Sequence, residues 1–314
     1  MVMTYKYVYG PVPSRRLGRS LGVSPIPSKT CNYSCVYCQL GRTDHLINTR
    51  EDFFDPEEIL NEIVQAAESN SDGIDYITFV GEGEPTLFKS IGYLINQTKV
   101  KTNLPVAVIT NGALLYDSTV REELKDANVV LPSLDAGNEK TFLKINRPHK
   151  GVKFEMMIDG LKRFAKMRNG QLWIEVMLVK DLNDSEEELR EIEKILKEVN
   201  PDRVYVNVPI RPPAENWVEI PEEEAIAKAH ELFQSYVIAG YEEGNFHVEN
   251  SSELYDEILK ICERHPMREE QIRDLALKFK ARDDEIISRI KNNPNVKEIR
   301  YHEKTFFVLK PKRK

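Results

Sequence analysis

An α/β fold is predicted: a partial (β/α)6, TIM-like barrel over residues 1–245, then a small winged-helix-like domain over 246–314. Three observations lead there. Short β-branched apolar runs alternate with longer stretches of helical periodicity, the pattern of a parallel sheet with helical crossovers. Glycine-rich and polar motifs follow those apolar runs, where parallel α/β architectures keep their sites. Beyond about residue 245 the alternation gives way to three helical stretches and a hairpin pattern, the composition of a helix-turn-helix relative.

Leu21–Val23 is the first expected strand. Asp55 offers a cap with Pro56 behind it, so a helix is expected over Pro56–Ser69. Strands at Tyr76–Val80, Val106–Thr110 and Val129–Leu134 then alternate with helices at Ser90–Thr98, Asp117–Asp126 and Phe154–Met167. A strand at Leu172–Val179 precedes a helix at Ser185–Val199, opened by Asp184-Ser185 and a glutamate run, and Arg203–Pro209 is the last expected strand. In the C-terminal part, helices are expected at Ser251–Arg264, Arg268–Phe279 and Asp283–Asn292. Val296–Tyr301 and Thr305–Leu309 flank His302-Glu303-Lys304 as a hairpin.

The 314 residues are 41% hydrophobic and 30% charged, enough apolar side chain for a real core. No stretch approaches the ~20 consecutive apolar residues of a membrane helix. The opening MVMTYKYVYG has neither a long apolar core nor a small-residue cleavage site, so a cytoplasmic location is expected. Four cysteines exclude a disulfide scaffold. The net charge of −7 is uneven: residues 265–314 hold 14 Lys+Arg against 8 Asp+Glu. That basic end suits a polyanion such as RNA. Four of its cations, however, sit in the terminal KPKRK, and Asp283, Asp284 and Glu285 open the expected recognition helix. A docking or capping domain without nucleic acid is the alternative.

Three of the cysteines, Cys31, Cys35 and Cys38, fall within eight residues just after the first strand. Three thiolates from one loop can ligate three irons of a cubane cluster. The fourth iron then stays open, as catalytic metal sites require. A structural zinc site wants four N or S ligands, and the only candidate nearby is His45, seven residues past Cys38. Cys262 sits among apolar positions of a helix and reads as a packing residue. The chain has no Gly-x-x-x-x-Gly-Lys-Ser/Thr loop, and no Gly-x-Gly-x-x-Gly follows the first strand.

The Cys31-Asn-Tyr-Ser-Cys35-Val-Tyr37-Cys38 loop resembles that of the radical S-adenosylmethionine enzymes. Gly81-Glu82-Gly83-Glu84-Pro85 is similar to their Gly-Gly-Glu-Pro element, with Glu82 in place of a glycine. Thr110-Asn111-Gly112, Ser133-Leu134-Asp135 and Val179-Lys-Asp-Leu-Asn183 follow in the right order. The resemblance covers roughly residues 8–245. Gly10-Pro-Val-Pro-Ser-Arg-Arg-Leu-Gly18 and Gly81–Leu87 look closest to a group related to the wyosine-base synthases that act on transfer RNA.

The resemblance implies a [4Fe–4S] cluster on Cys31, Cys35 and Cys38, reduced by a one-electron donor of ferredoxin or flavodoxin type. It implies reductive cleavage of S-adenosylmethionine to a 5′-deoxyadenosyl radical that abstracts hydrogen from a substrate, a transfer RNA base being favoured. Glu84 would meet the methionine ammonium, Gly83 would let backbone approach there, and Tyr37 would flank the adenine. Asn111, Ser133 and Asp135 would bond the ribose or the methionine carboxylate, or else cap local turns. Asn183 is either a ligand contact or a cap. By residue type, Arg15, Arg16 and Arg147 are expected to hold the methionine carboxylate or an anionic substrate, the alternative being a solvated loop. A protein partner as substrate, or a redox-sensing regulator that binds nucleic acid, are the competing functions.

Overall fold

The computed structural model describes residues 5–70, 73–236, 254–264 and 266–309. The chain opens with β1 (Val8–Ser14), which turns back antiparallel onto β2 (Gly18–Val23). Two short strands, β3 (Thr30–Cys31) and β4 (His45–Leu46), then pair parallel across the cysteine loop. Crossovers follow: α1 (Pro56–Ser69), β5 (Tyr76–Phe79), α2 (Ile91–Thr102), β6 (Val106–Thr110), α3 (Ser118–Leu124) and β7 (Val129–Pro132). The series continues with α4 (Glu139–Ile145), α5 (Phe154–Met167), β8 (Gln171–Met177), α6 (Glu186–Val199), β9 (Arg203–Asn207) and α7 (Glu223–Phe233). The sheet order is β1-β2-β5-β6-β7-β8-β9, parallel from β2 onward.

The expected strands and helices of this part are present, with ends moved by a few residues. Asp55 caps α1 by accepting from Glu57 N, and Ser185 caps α6 by accepting from Glu188 N. Five of these elements were not expected: β1, β3, β4, α4 and α7. β1 carries Pro11 and Pro13, and its ladder breaks between Tyr9 and Val12. Proline is tolerated at a sheet edge, where a missing N–H costs little.

The period of two along each strand divides the sheet's faces. Ile77, Phe79, Val106, Val108, Leu172, Ile174, Val204 and Val206 face the helices and form the main core with them. On the other face, Leu17, Ala107, Val129, Leu131, Trp173 and Tyr205 make a second apolar layer. The same face also carries polar residues: Ser20 and Thr78 share a 2.7 Å hydrogen bond, and Glu175 and Asn207 follow Trp173 and Tyr205 by two residues toward the strands' C-terminal ends.

The C-terminal part comprises α8 (Leu254–Arg264), β10 (Met267–Arg268), α9 (Glu269–Lys278), α10 (Asp283–Lys291), β11 (Val296–Tyr301) and β12 (Lys304–Leu309). The expected helix start at residues 251–253 and the 245/246 boundary lie outside the described residues. β10-β12-β11 form an antiparallel sheet. Tyr301 pairs with Lys304, so the hairpin turn is His302-Glu303 alone, both at positive φ, the two-residue geometry that suits strand twist. Cys262 is fully buried with Ile258, Ile272, Ile287, Ile290 and Phe307, and Val12 of β1 joins that cluster. No helix among the described residues is long and apolar enough to cross a membrane.

Candidate active site

The cysteine loop is fixed from both ends. Cys31 ends β3, and its carbonyl accepts from Ile47 N at 3.0 Å. Ser34 N and Val36 N donate to the carbonyls of Asn146 and Ile145, which terminate α4. Cys38 N closes a turn on Cys35 O at 3.2 Å. The three thiols border one cavity of about 280 Å³ at the C-terminal ends of the parallel strands. Tyr33, Tyr37, Glu82 and Gly83 border it on the loop side, and Glu175, Met177, Asn207 and Pro209 on the strand side.

The sulfurs are reached by N–H donors. Cys31 Sγ accepts from Tyr33 N at 3.4 Å and from Asn111 Nδ2 at 3.6 Å. Cys35 Sγ accepts from Asn146 Nδ2 at 3.5 Å. Burial pushes all three thiols up; at Cys31 the Glu84 carboxylate adds to it and at Cys35 the Asp135 carboxylate does, whereas Leu40 N–H and Lys29 pull Cys38 down.

Of the residues singled out in the sequence, Tyr37, Gly83, Arg15 and Arg16 border the cavity with the thiols. Arg15 donates to Asn207 Oδ1 at 3.0 Å, and Arg16 pairs with Glu175. A Cβ on Gly83 would lie 1.8 Å from Thr30 O, so its close approach is to the backbone leading into Cys31. Glu84 is buried behind that wall. Its carboxylate accepts from Thr86 N, Thr86 Oγ1, Thr110 Oγ1 and Asn111 N at 2.6–3.0 Å. Burial pushes its pKa up and these donors oppose the rise.

Asn111 donates to Asn32 Oδ1 as well as Cys31, and its Oδ1 accepts from Ala113 N. Ser133 bridges to Glu175 between β7 and β8. Asp135 accepts from Tyr37 Oη at 2.5 Å, Asn146 Nδ2 at 2.7 Å and Met177 N at 3.0 Å. Asn183 has all its side-chain bonds to backbone, accepting from Val179 N and donating to Asp135 O and Met177 O. Arg147 stands away from the cavity wall and pairs with Glu215, which Arg42 also grips through two bonds. Those two guanidiniums hold the Glu215 carboxyl down at about 2.

Sequence reasoning passed over Lys29, Glu175, Met177, Asn207 and Arg211, which border the cavity, and Tyr33 and Asn146, which adjoin its sulfurs. Glu175 and Asn207 carried a readable signal: a polar residue two places beyond an inward aromatic, inside an apolar strand.

The Radical SAM superfamily family model matches residues 26–192. The chain belongs to the radical SAM superfamily. It is an enzyme of that superfamily, and its cofactors are a [4Fe–4S] cluster and S-adenosylmethionine. It is 36% identical to the UPF0026 protein MJ1312 of Methanocaldococcus jannaschii, across 96% of this chain and 95% of that one. It is 44% identical to a protein of Brachyspira hyodysenteriae named GTPase Obg, across 73% of this chain but only 34% of that protein. A probable dual-specificity RNA methyltransferase RlmN of Pseudothermotoga lettingae is 27% identical over 57% of the chain and 51% of its own length. The radical SAM methyltransferase structure from Sphaerobacter thermophilus shares the fold, with TM-score 0.55 and 17% identity over 69% of this chain and 65% of that one.

The donor set fits an iron–sulfur cluster. Three thiols from one loop border a single cavity, and N–H donors reach the sulfurs of Cys31 and Cys35. Sulfurs that bind several irons need that arrangement and N–H donors aimed at them.

Proposed function

We propose that Cys31, Cys35 and Cys38 hold three irons of the cluster, and that S-adenosylmethionine occupies the cavity they border. Bound there, the pair supplies a 5′-deoxyadenosyl radical for hydrogen abstraction. Tyr37 and Gly83 touch the cofactor, with Met177, Val208 and Ile210 as its apolar wall. Glu84, Asn111, Asp135 and Asn183 hold that wall from behind, since protein donors and acceptors already engage their side chains. Ser133 pairs through its backbone with Glu175, which borders the cavity. The observation that carries this function is the convergence of three half-buried thiols, two of them amide-bonded, on one cavity at the strand ends.

The substrate we favour is an RNA base, with Arg15 and Arg16 toward it and Arg147 as a brace rather than a contact. Support comes from the RNA-acting relative, from the basic C-terminal part, and from where that part sits. Tyr301 Oη donates to Pro209 O at the cavity rim, and Cys262, Glu263 and Leu309 face Gln39 and Leu40 just past Cys38. We read residues 1–245 as a partial barrel and 246–314 as a winged-helix-like domain that presents RNA to the strand ends. Asp283 and Asp284, which oppose a groove-binding helix, are engaged by Arg273. A cytoplasmic setting and a ferredoxin- or flavodoxin-type donor complete the picture. The test is anaerobic reconstitution, reduction with dithionite, and measurement of 5′-deoxyadenosine with and without cellular RNA. Stimulation by RNA supports the assignment; stimulation by a protein fraction alone refutes the RNA substrate, and no 5′-deoxyadenosine under any condition refutes the chemistry.

A further inference from the structure

We infer that the Tyr33 hydroxyl donates a hydrogen bond to a sulfur of the cluster, and that with the Asn111 and Asn146 amides it sets the cluster's reduction potential. The inference rests on the cluster occupying the three thiols as proposed above. Tyr33 lies two residues past Cys31 and two before Cys35, and it borders the same cavity as their sulfurs. It is 2% exposed, and its Oη has no hydrogen-bond partner. A buried hydroxyl left without a partner is costly, and native proteins rarely keep one without a ligand or role. The ring cannot swing away to find water. Its edge packs on Phe142, with centroids 5.4 Å apart at 77°, and its backbone bridges to Pro148. Its own N–H already points at Cys31 Sγ.

The amides complete the set. Asn111 is oriented by Asn32 and Ala113, and Asn146 by Asp135, so each presents its N–H to a sulfur. One-electron reduction adds negative charge to the iron–sulfur core and its thiolates. Donors fixed on those sulfurs stabilise the reduced form more than the oxidised one and raise the potential. Tyr33, Asn111 and Asn146 therefore tune the cluster through its sulfurs. None needs to meet the substrate.

Tyr33→Phe removes one oxygen and nothing else, in the full-length chain reconstituted without oxygen. Two readouts should move in opposite directions. In the metal-free protein the melting temperature should rise, because an unpartnered buried hydroxyl is gone. In the loaded protein, the midpoint potential followed by EPR should become more negative. A tenfold lower ratio of reduced to oxidised cluster at fixed potential corresponds to about 59 mV for this one-electron couple. Iron–sulfur stretching bands of the parent should also shift in D2O by resonance Raman, and that part of the shift should vanish in Tyr33→Phe. Asn146→Ala should lower the potential independently. If Tyr33→Phe binds four irons and four sulfides with an unchanged midpoint and D2O shift, the donor role is overturned while the cluster assignment stands. If the parent protein binds no iron and sulfide in that ratio, the cluster assignment itself falls.

Discussion

Glu215 ties three pieces of the site together, and replacing it by glutamine measures that tie. Its carboxylate takes two bonds from Arg42 of the cysteine loop at 2.8 and 2.9 Å and one from Arg147 beyond α4, while its N–H donates to Val36 O. The carboxyl is held at about 2 against an ordinary 4.5. Unscreened, that difference would stabilise the folded state by about 3 kcal/mol at neutral pH. Arg42 is 71% exposed, so water screens much of it, and about 1–2 kcal/mol is the expected loss in Glu215→Gln at pH 7. The sign in pH follows from a depressed carboxyl. The contribution is complete above pH 4.5 and disappears as pH falls toward 2. Urea unfolding of metal-free protein, read by fluorescence of Trp173 and the nearby Trp217, gives both quantities. Equal stability of the two proteins at pH 7, or a difference that fails to shrink between pH 4.5 and pH 3, would refute the reasoning.

Cys35→Ala should abolish iron and sulfide uptake, whereas Cys262→Ala should retain both and lose about 1 kcal/mol of stability, as analysis of metal content and urea midpoints will show. Glu84→Gln keeps the shape but turns an amide N–H toward one of the donors that meet the carboxylate; a loss of about 1–3 kcal/mol is expected by denaturation. Lys297 and Arg300 are exposed on β11. Changing both to alanine should weaken RNA binding and lower the slope of log affinity against log salt by about 1.4, measured by fluorescence anisotropy.

The alternating strands and helices were readable because each has an apolar face of one period, and some helices add a start signal, as Asp55-Pro56 and Ser185 illustrate. β1 was hidden because its prolines argue against a strand unless the edge position is known. At the site, the cysteine spacing placed three thiols on one loop, and the structure sets all three on one cavity. What was not legible is direction. The motifs after β5, β6 and β8 lie at the right strand ends, yet Glu84 and Asn183 turn into the protein and Arg147 turns to Glu215. One-dimensional spacing fixes which loop a residue occupies, not which of two sides its side chain takes.

That inward turn has a physical logic. The loop from Cys31 to Cys38 contains little regular structure of its own, so its rigidity has to be borrowed from the sheet. A buried carboxylate is suited to lend it, because it accepts several donors at once where an amide or hydroxyl accepts fewer. Glu84 binds the segment after β5 to the end of β6, and Asn111 at that end reaches Cys31. Asp135 binds the segment after β7 to the end of β8, and Asn146 and Tyr37 reach from it to Cys35 and into the loop. Two adjacent thiols are thus each two hydrogen bonds away from a buried carboxylate anchored on a pair of strands. A carboxylate exposed to the cavity would be free to meet a ligand but would leave that sulfur geometry unsupported. The cavity wall itself can then be made of unremarkable residues such as Met177, Val208 and Ile210, because its shape is imposed from behind.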